Sequence, residues 1–462
     1  MNSADETIEQ AIDILKRKAV DGYEIYVDQS SHLQVEAKDG EVDTFQASDS
    51  WGISFRILNR QRIGFSYTTS NTPRDFEKVI EDAIGSAEAA APDPCFDFAP
   101  GLGSPPPQLP IFDETLEKVP EERKIETAKG LEEAARSADS GRITKVRKAA
   151  YQEVLSRTTL VNSNGLFFSY PDTVVSLSIM AVAEESGESE VGWDFDFSHF
   201  FSALQAEKVG RAAARKALER LGGRRIASGV YPVLLRNEVA SEFLSLLAHS
   251  FLAEQVQKGK SLLKGKKGER FFSSLLSIVD DGLHPKGIST AAIDGEGMPG
   301  QRTCLVTGGE IAGYLYDRYW ANRENTPYPG TTRSHPGPEI RSTGNSRRST
   351  IKAPPGLGVT NFFVEPGKDS FAGLVRKLDR GVVVDEVMGL HTVDPISGDF
   401  SLGCSGGWIE KGERVHPVKS IAVAGNLFSI FKNVTGLGDD FRFFGKVGSS
   451  SLLVEGLEIS GN

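Results

Sequence analysis

Apolar positions in this chain fall at helical spacing in a few stretches, and much of the remaining pattern alternates with a period of two. Within residues 5–20, Ile8, Ile12, Ile14 and Leu15 recur at near-helical spacing behind Ser3 as a cap, predicting an N-terminal helix. Alternating segments follow at Tyr23–Val27, Leu33–Ala37 and Val42–Gln46, the pattern of half-buried strands. Lys38-Asp39-Gly40-Glu41 between the last two predicts a hairpin turn, since glycine accepts the positive φ that such turns need. Trp51–Leu58 and Arg62–Thr68 predict a further hairpin around Asn59-Arg60. Thr72-Pro73 starts a helix running to about Ala90.

Ala91–Pro110 is rich in proline and glycine and reads as a linker. The same order then returns. A helix is expected from about Leu116 to Ala138 and strands over Lys145–Leu160. A turn at Asn162-Ser163-Asn164-Gly165 follows, then strands at Leu166–Tyr170 and Thr173–Val182 and a helix over about Phe201–Leu221. The repeated order implies a structural duplication, although the two halves share few residues. After Gly222-Gly223-Arg224-Arg225 the character changes. A strand (Val230–Leu235) and a helix (about Glu238–Leu252) lead into short apolar runs separated by glycine turns. Those turns are Thr307-Gly308-Gly309-Glu310, Ser397-Gly398-Asp399 and Glu410-Lys411-Gly412-Glu413. The expected class is α+β. A duplicated helix and antiparallel-sheet region spans 1–225, with halves at about 1–90 and 111–225. A strand-rich unit, barrel-like or a folded sheet, spans 226–462. Tyr328–Pro355, dense in Pro, Gly, Ser and Arg, is expected to be a long mobile loop of the kind that often serves function.

Charge and cysteine content narrow the function. The 462 residues carry a formal net charge of -11, the wrong sign for a protein whose affinity rests on phosphate contacts, so no direct nucleic-acid partner is expected. Three cysteines far apart (Cys95, Cys304, Cys404) form no disulfide framework and suit a reducing cytosol. The acidic, polar N-terminus is unlike a signal peptide, and no run approaches the roughly 18 apolar residues of a membrane helix. A cytoplasmic protein with no membrane partner is expected.

The motifs that carry chemistry elsewhere are incomplete here. Gly259-Lys260-Ser261 ends like a phosphate-binding loop, but Glu254 stands where the first glycine is needed, and a helix precedes it. The lysines around it (Lys258, Lys260, Lys264, Lys266, Lys267) read as a solvated loop, with docking of an acidic surface as the functional alternative. Gly403-Cys404-Ser405-Gly406-Gly407 satisfies a nucleophile-elbow string, yet Trp408-Ile409-Glu410 continues as a strand where that motif needs a helix. Cys404 has no adjacent base to activate it. The seven histidines are scattered, with no HExxH. Glu242, Ser245 and His249 share a helix face, but two turns separate Glu242 from His249 by about 10 Å, too far to share a metal. His249 reads as a core or interface histidine. Asp280-Asp281-Gly282 and Asp294-Gly295-Glu296-Gly297 are acidic turns too short for calcium loops.

One ordered series of strings nonetheless resembles a known family. It runs Ala292-Ile-Asp-Gly-Glu-Gly297, Pro366-Gly-Lys368, Gly381-Val-Val-Val-Asp-Glu-Val-Met-Gly389 and Ser397-Gly-Asp-Phe-Ser401. It continues with Gly406-Gly-Trp-Ile-Glu410, Pro417-Val-Lys419, Ala424-Gly-Asn-Leu427 and Gly438-Asp-Asp440. Together they resemble the TldD/PmbA family, specifically its PmbA (TldE) branch, over most of residues 226–462. The resemblance implies the following. TldD-branch members are zinc peptidases with a His-Glu-x-x-x-His helix and a distant cysteine ligand. PmbA-branch members lack that site and pair with a TldD-type subunit, and the pair degrades unfolded peptides or trims leader peptides. Anchored on Lys258-Gly259, the metal helix would fall at Leu244-Ser245-Leu246-Leu247-Ala248-His249, where only the last histidine survives. Lys446-Val447-Gly448 replaces the cysteine–glycine pair. No catalytic, cofactor-binding or metal-ligating residue is therefore assigned, and zinc is expected only in the TldD-type partner. The expected role is the zinc-free subunit of a heterodimeric metalloprotease, with a homodimer as the other assembly. The alternatives are a stand-alone hydrolase using Ser405, Cys404 or an atypical metal site, and an interaction protein of the "modulator of DNA gyrase" type.

Overall fold

The computed structural model describes residues 4–326 and 339–461; the candidate cap Ser3 and the first part of the expected 328–355 loop lie outside them. The first half runs α1 (Ala4–Lys16), β1 (Gly22–Lys38), β2 (Glu41–Asn59), β3 (Arg62–Thr68) and α2 (Pro73–Ala89). The second half repeats it: α3 (Glu121–Arg136), β4 (Ile143–Asn162), β5 (Phe167–Glu185), β6 (Glu188–Ser198) and α4 (Ala206–Leu218). The duplicated order is thus present. The two halves join along their first strands, β1 antiparallel to β4 from Glu24↔Asn162 to Ala37↔Ala149, giving one sheet of order β3-β2-β1-β4-β5-β6.

The strands are longer than the periodicity predicts. The expected strands at 23–27 and 33–37 are one 17-residue strand, and those at 42–46 and 51–58 are one of 19. The polar residues between them, Asp28–His32 and Ser48–Ser50, interrupt the hydrophobic alternation but not the backbone ladder, which needs no apolar side chain. Pro171, which also breaks the pattern, is accommodated within β5 because β6 pairs only from Val175 onward, leaving the outer edge open there. β6 itself was not expected. The turns are as predicted: Asp39 and Gly40 have φ of 53° and 79°, and Lys411 and Gly412 have 52° and 72°. The expected helix at 116–138 is split by Pro120 into a 3-10 turn and α3.

Each half closes its edge strand against a helix at a glycine. A Cβ on Gly64 of β3 would lie 1.9 Å from the Ala83 carbonyl of α2, and one on Gly192 of β6 would lie 2.1 Å from the Ala213 carbonyl of α4. Both helices present alanines four residues apart at the contact, Ala83 and Ala87 in α2, Ala213 and Ala217 in α4. The same close approach therefore recurs at the same place in both halves.

The remaining chain supplies β7 (Gly229–Leu235), α5 (Asn237–Ala248), α6 (Ala253–Gln257), β8 (Ile278–Asp281), β9 (Arg302–Thr307), β10 (Glu310–Ile311) and α7 (Arg318–Asn325). There follow β11 (Ser346–Arg347), β12 (Gly356–Leu357), β13 (Phe362–Val364), α8 (Phe371–Leu378), β14 (Gly381–Met388), β15 (Asp399–Glu410) and β16 (Glu413–Asn426). The last elements are α9 (Leu427–Lys432), β17 (Val434–Leu437), β18 (Arg442–Phe444), β19 (Val447–Ser449) and β20 (Leu452–Ser460). Strands β16-β15-β14-β7-β20 close into a five-stranded barrel through a β16–β20 pairing, so the barrel-like expectation holds. A second sheet, β10-β9-β8-β13-β19-β18, lies beside it, and α5 is packed between the two. Val239, Phe243, Leu244 and Leu247 of α5 join barrel residues Val233, Val384 and Leu452 in the largest core.

Two expectations about irregular segments need correction. The linker at 91–110 is sewn down: Phe98 and Ala99 are buried, Asn162 donates to the Ala99 carbonyl (2.8 Å), and Tyr319 of α7 donates to Asp93 (2.9 Å). Part of 339–355 is pinned too, contrary to the mobile-loop expectation. Asn345 and Ser346 are fully buried and Arg348 nearly so, because polar side chains there meet buried polar partners that a composition count does not reveal.

Candidate functional site

Helix α5 is where the resemblance places chemistry, and it lies against β19 and β18. The two positions of interest, Leu244–His249 and Lys446–Gly448, are therefore in neighbouring elements. Their side chains do not fit a zinc ion. Leu244 is fully buried in the core, Ser245 and His249 are exposed on the outer face, and Lys446 sits exposed just before β19. Zinc peptidases need three protein ligands and a carboxylate base. Among the described residues no three His, Cys, Asp or Glu side chains converge as ligands. The exposure of His249 also removes the core reading of that residue, although its neighbours Ala248, Ser250 and Phe251 are buried.

The outer face of α5 carries an acidic seam. Glu238 pairs with Lys216 of α4 at 2.8 Å, and Glu386 of β14 pairs with Arg220 at 3.1 Å. Glu242, between them, has no cation among the described residues, and burial, then the charges of Glu238 and Glu386, push its carboxyl up to about 7. A folded-state pKa above the unfolded one stabilises the fold at low pH, and that contribution is lost as pH rises from the unfolded value toward 7. Glu242→Gln is expected to stabilise the chain by about 1–2 kcal/mol at about pH 8, after allowance for partial exposure, and to change little at about pH 4. Urea unfolding at both pH values measures it.

The residues of the incomplete motifs have these surroundings. Ser405 lies mid-strand in β15, with its hydroxyl 3.4 Å from Glu386. Cys404 is fully buried and its thiol is pushed up to about 12 by burial. Gly406 is there because a Cβ would meet the Val383 carbonyl at 1.8 Å. The Ser261 hydroxyl is buried, donating to the Ser250 carbonyl at 2.7 Å, and cannot face a phosphate.

The sequence did not reveal the polar seam between the six-stranded sheet and the rest of the molecule. Glu24 and Arg56, directly opposite in the β1–β2 register, form an ion pair at 3.4 Å without an aligned hydrogen bond. Arg56 also donates to Glu296 at 3.2 Å, and Arg348 pairs with Glu24. Asp294, one of the acidic turn residues, accepts the backbone N–H groups of Glu296 and Met298 (each 2.9 Å) and of Ser346 (3.0 Å). It organises the turn. Burial, then the charge of Glu296, raises the carboxyl pKa values of Asp294 and Asp317. His199 forms a second junction: Nδ1 lies 2.7 Å from the Thr173 carbonyl and 3.1 Å from Asp172, and Nε2 lies 3.1 Å from the Gly287 carbonyl. A signal was available in the sequence. Glu24 and Arg56 each interrupt an apolar run (Tyr23-Glu24-Ile25, Phe55-Arg56-Ile57), which calls for a buried partner.

The duplicated six-stranded sheet and the closed five-stranded barrel place the chain in a mixed α/β, strand-rich fold class. Family models of the PmbA/TldA metallopeptidases match in three successive pieces: domain 1 over residues 23–91, the central domain over 114–221 and the C-terminal domain over 228–461. The chain belongs to the PmbA/TldD family, on its PmbA (TldE) branch. It is 27% identical to the metalloprotease PmbA of Escherichia coli O157:H7 over 460 residues, 99% of this chain and 96% of that one. Identity to a metalloprotease TldD homolog of Haemophilus influenzae is 25%, covering 95% and 89% of the two chains. Among solved structures, a Thermotoga maritima protein described as a candidate modulator of a DNA gyrase superposes with a TM-score of 0.87 at 27% identity, covering 99% of this chain and all of that one. TldE from Thermococcus kodakarensis shares the fold, with a TM-score of 0.86 at 21% identity over 99% of each chain. No described helix is long and apolar enough to cross a membrane.

Proposed function

We propose that this chain is the zinc-free subunit of a two-chain peptidase, shaping a chamber for unfolded peptides while a TldD-type partner supplies the metal and the base. One observation carries this reading. The neighbouring elements α5 and β19 bring Leu244, Ser245, His249 and Lys446 to the two positions of interest, a set with no thiolate, no carboxylate and one exposed imidazole. Such a set cannot activate water through zinc.

The sheet offers a means of holding peptide. β3 pairs with β2 only over Ile53–Asn59, so the outer edge of Glu41–Gly52 has no neighbouring strand among the described residues. An open edge takes an extended chain by main-chain hydrogen bonds and tolerates many sequences.

Co-expression with a TldD-type chain tests the proposal. Peptidase activity is expected only when both chains are present, to vanish on mutating the partner's zinc helix, and to survive Ser405→Ala in this one. Full activity without this chain, or stoichiometric zinc in this chain purified alone, overturns it.

A further inference from the structure

A small cavity lies where strands β1, β4 and β5 meet the 293–295 and 346–348 segments. It holds about 80 Å³ and is lined by Tyr26, Thr158, Tyr170, Ser346 and Arg347, with Asp294 at its wall. Almost every polar side chain facing it is a hydrogen-bond donor. Tyr26 and Tyr170 have their phenol pKa values raised, chiefly by burial, so both keep their protons. The Ser346 hydroxyl is buried, with 1% of the residue exposed, and has no hydrogen-bond partner among the described residues. A buried hydroxyl left unpaired costs free energy, which a ligand would recover.

Arg347 is the centre of the arrangement. It is partly buried, and among the described residues its guanidinium makes neither an ion pair nor a hydrogen bond, unlike its neighbour Arg348, which is held by Glu24 and the Gly295 carbonyl. Residues 327–338, the internal stretch that is not described, contain no Asp or Glu. Lys446, exposed and without an ion pair among the described residues, adds a second cation close enough that Arg347 lowers its pKa, after burial. Asp28 acts on Tyr26 and Asp172 on Tyr170, while the two carboxylates beside Arg347 and Ser346 are already engaged. Asp280 accepts from the Thr360 N–H (2.8 Å), the Thr360 hydroxyl (2.5 Å) and Asn345 (2.8 Å), and Asp294 accepts its three backbone N–H groups. Both are buried, and burial raises both pKa values, which weakens their opposition to an incoming anion.

We propose that this cavity, with Arg347 in its lining and Lys446 nearby, is a seat for a carboxylate of a bound peptide. The chemistry matches: an ionised carboxylate only accepts hydrogen bonds, and a guanidinium is the donor best shaped to meet it. The site rests on the peptide-binding reading given above, and it adds a fixed end to an otherwise sequence-tolerant grip.

The test uses the full chain and three fluorescent peptides of one neutral sequence. One has a free C-terminal carboxylate, one is its C-terminal amide, and one is the amide carrying a single internal glutamate. The free acid or the glutamate peptide is expected to bind about tenfold more tightly than the plain amide, and which of them does so identifies the source of the carboxylate. Arg347→Gln is expected to abolish the difference and Lys446→Met to reduce it, with both variants melting at the parent temperature. Should Arg347→Gln fail to fold, loss of the preference in Lys446→Met, an exposed position, stands as support. Equal binding of all three peptides overturns the carboxylate seat and leaves the peptide reading intact. Binding of none overturns both, and a preference unchanged in both variants removes these residues from the site.

Discussion

Arg56→Met is expected to cost about 3–5 kcal/mol of folding free energy, because it leaves two buried carboxylates facing each other without their shared cation. Arg56 is 7% exposed and Glu24 is 1% exposed, so water cannot replace the lost partner. Glu24 keeps Arg348, whereas Glu296 is left, among the described residues, with only the Arg318 backbone N–H at 3.3 Å. The loss therefore concentrates at Glu296. Adding Glu296→Gln to Arg56→Met is expected to restore part of the stability, since the amide still accepts from Arg318 and carries no charge. The double variant should be more stable than Arg56→Met alone. Urea unfolding of the two single variants and the double closes the cycle; strict additivity would show that the two side chains do not interact. Because these residues join the six-stranded sheet to the segment 294–348, unfolding of Arg56→Met should also separate into two transitions.

The second large effect is expected at the paired glycines. Gly64→Val and Gly192→Val should each cost about 3 kcal/mol or more, since the new atoms meet backbone carbonyls of α2 and α4 and not the ends of flexible side chains. The helices can yield only by lifting off the sheet and opening the cores beneath them. Gly85→Ala is the control. It lies inside α2 with nothing within 4 Å of a new Cβ, and should gain about 0.5–1 kcal/mol from helix propensity. Thermal melts of the three variants separate overpacking from any general intolerance of α2 or α4 to substitution.

Much of this architecture is legible in the sequence because local rules and the fold agree. Hairpin glycines, the proline at the start of α2 and the amphipathic stripe of Phe76, Val79, Ile80 and Ala83 each specify one answer. The six-stranded sheet was harder to read. A residue such as Ser48 or Asp49 is extended because its backbone is hydrogen-bonded to β1, and side-chain periodicity carries no record of that. The positions around α5 were visible as missing ligands, since a leucine at 244 and a lysine at 446 are plain in the chain. The donor-lined cavity was not visible. Tyr26, Thr158, Tyr170 and Arg347 are scattered over more than three hundred positions and meet only when the sheet docks on the 293–295 and 346–348 segments. Single buried charges inside apolar runs, such as Glu24 and Arg56, are the clue that a sequence reading should follow further.

The antiparallel seam between β1 and β4 has a consequence for how such a chain arose and how it can be taken apart. Two copies of one helix–strand–strand–strand–helix piece, related by a two-fold rotation, would form the same sheet through a self-matching edge. The present covalent connection makes that encounter intramolecular and independent of concentration. Cut between its halves, the region is therefore suited to reassembly as two fragments, each supplying the template on which the other completes itself.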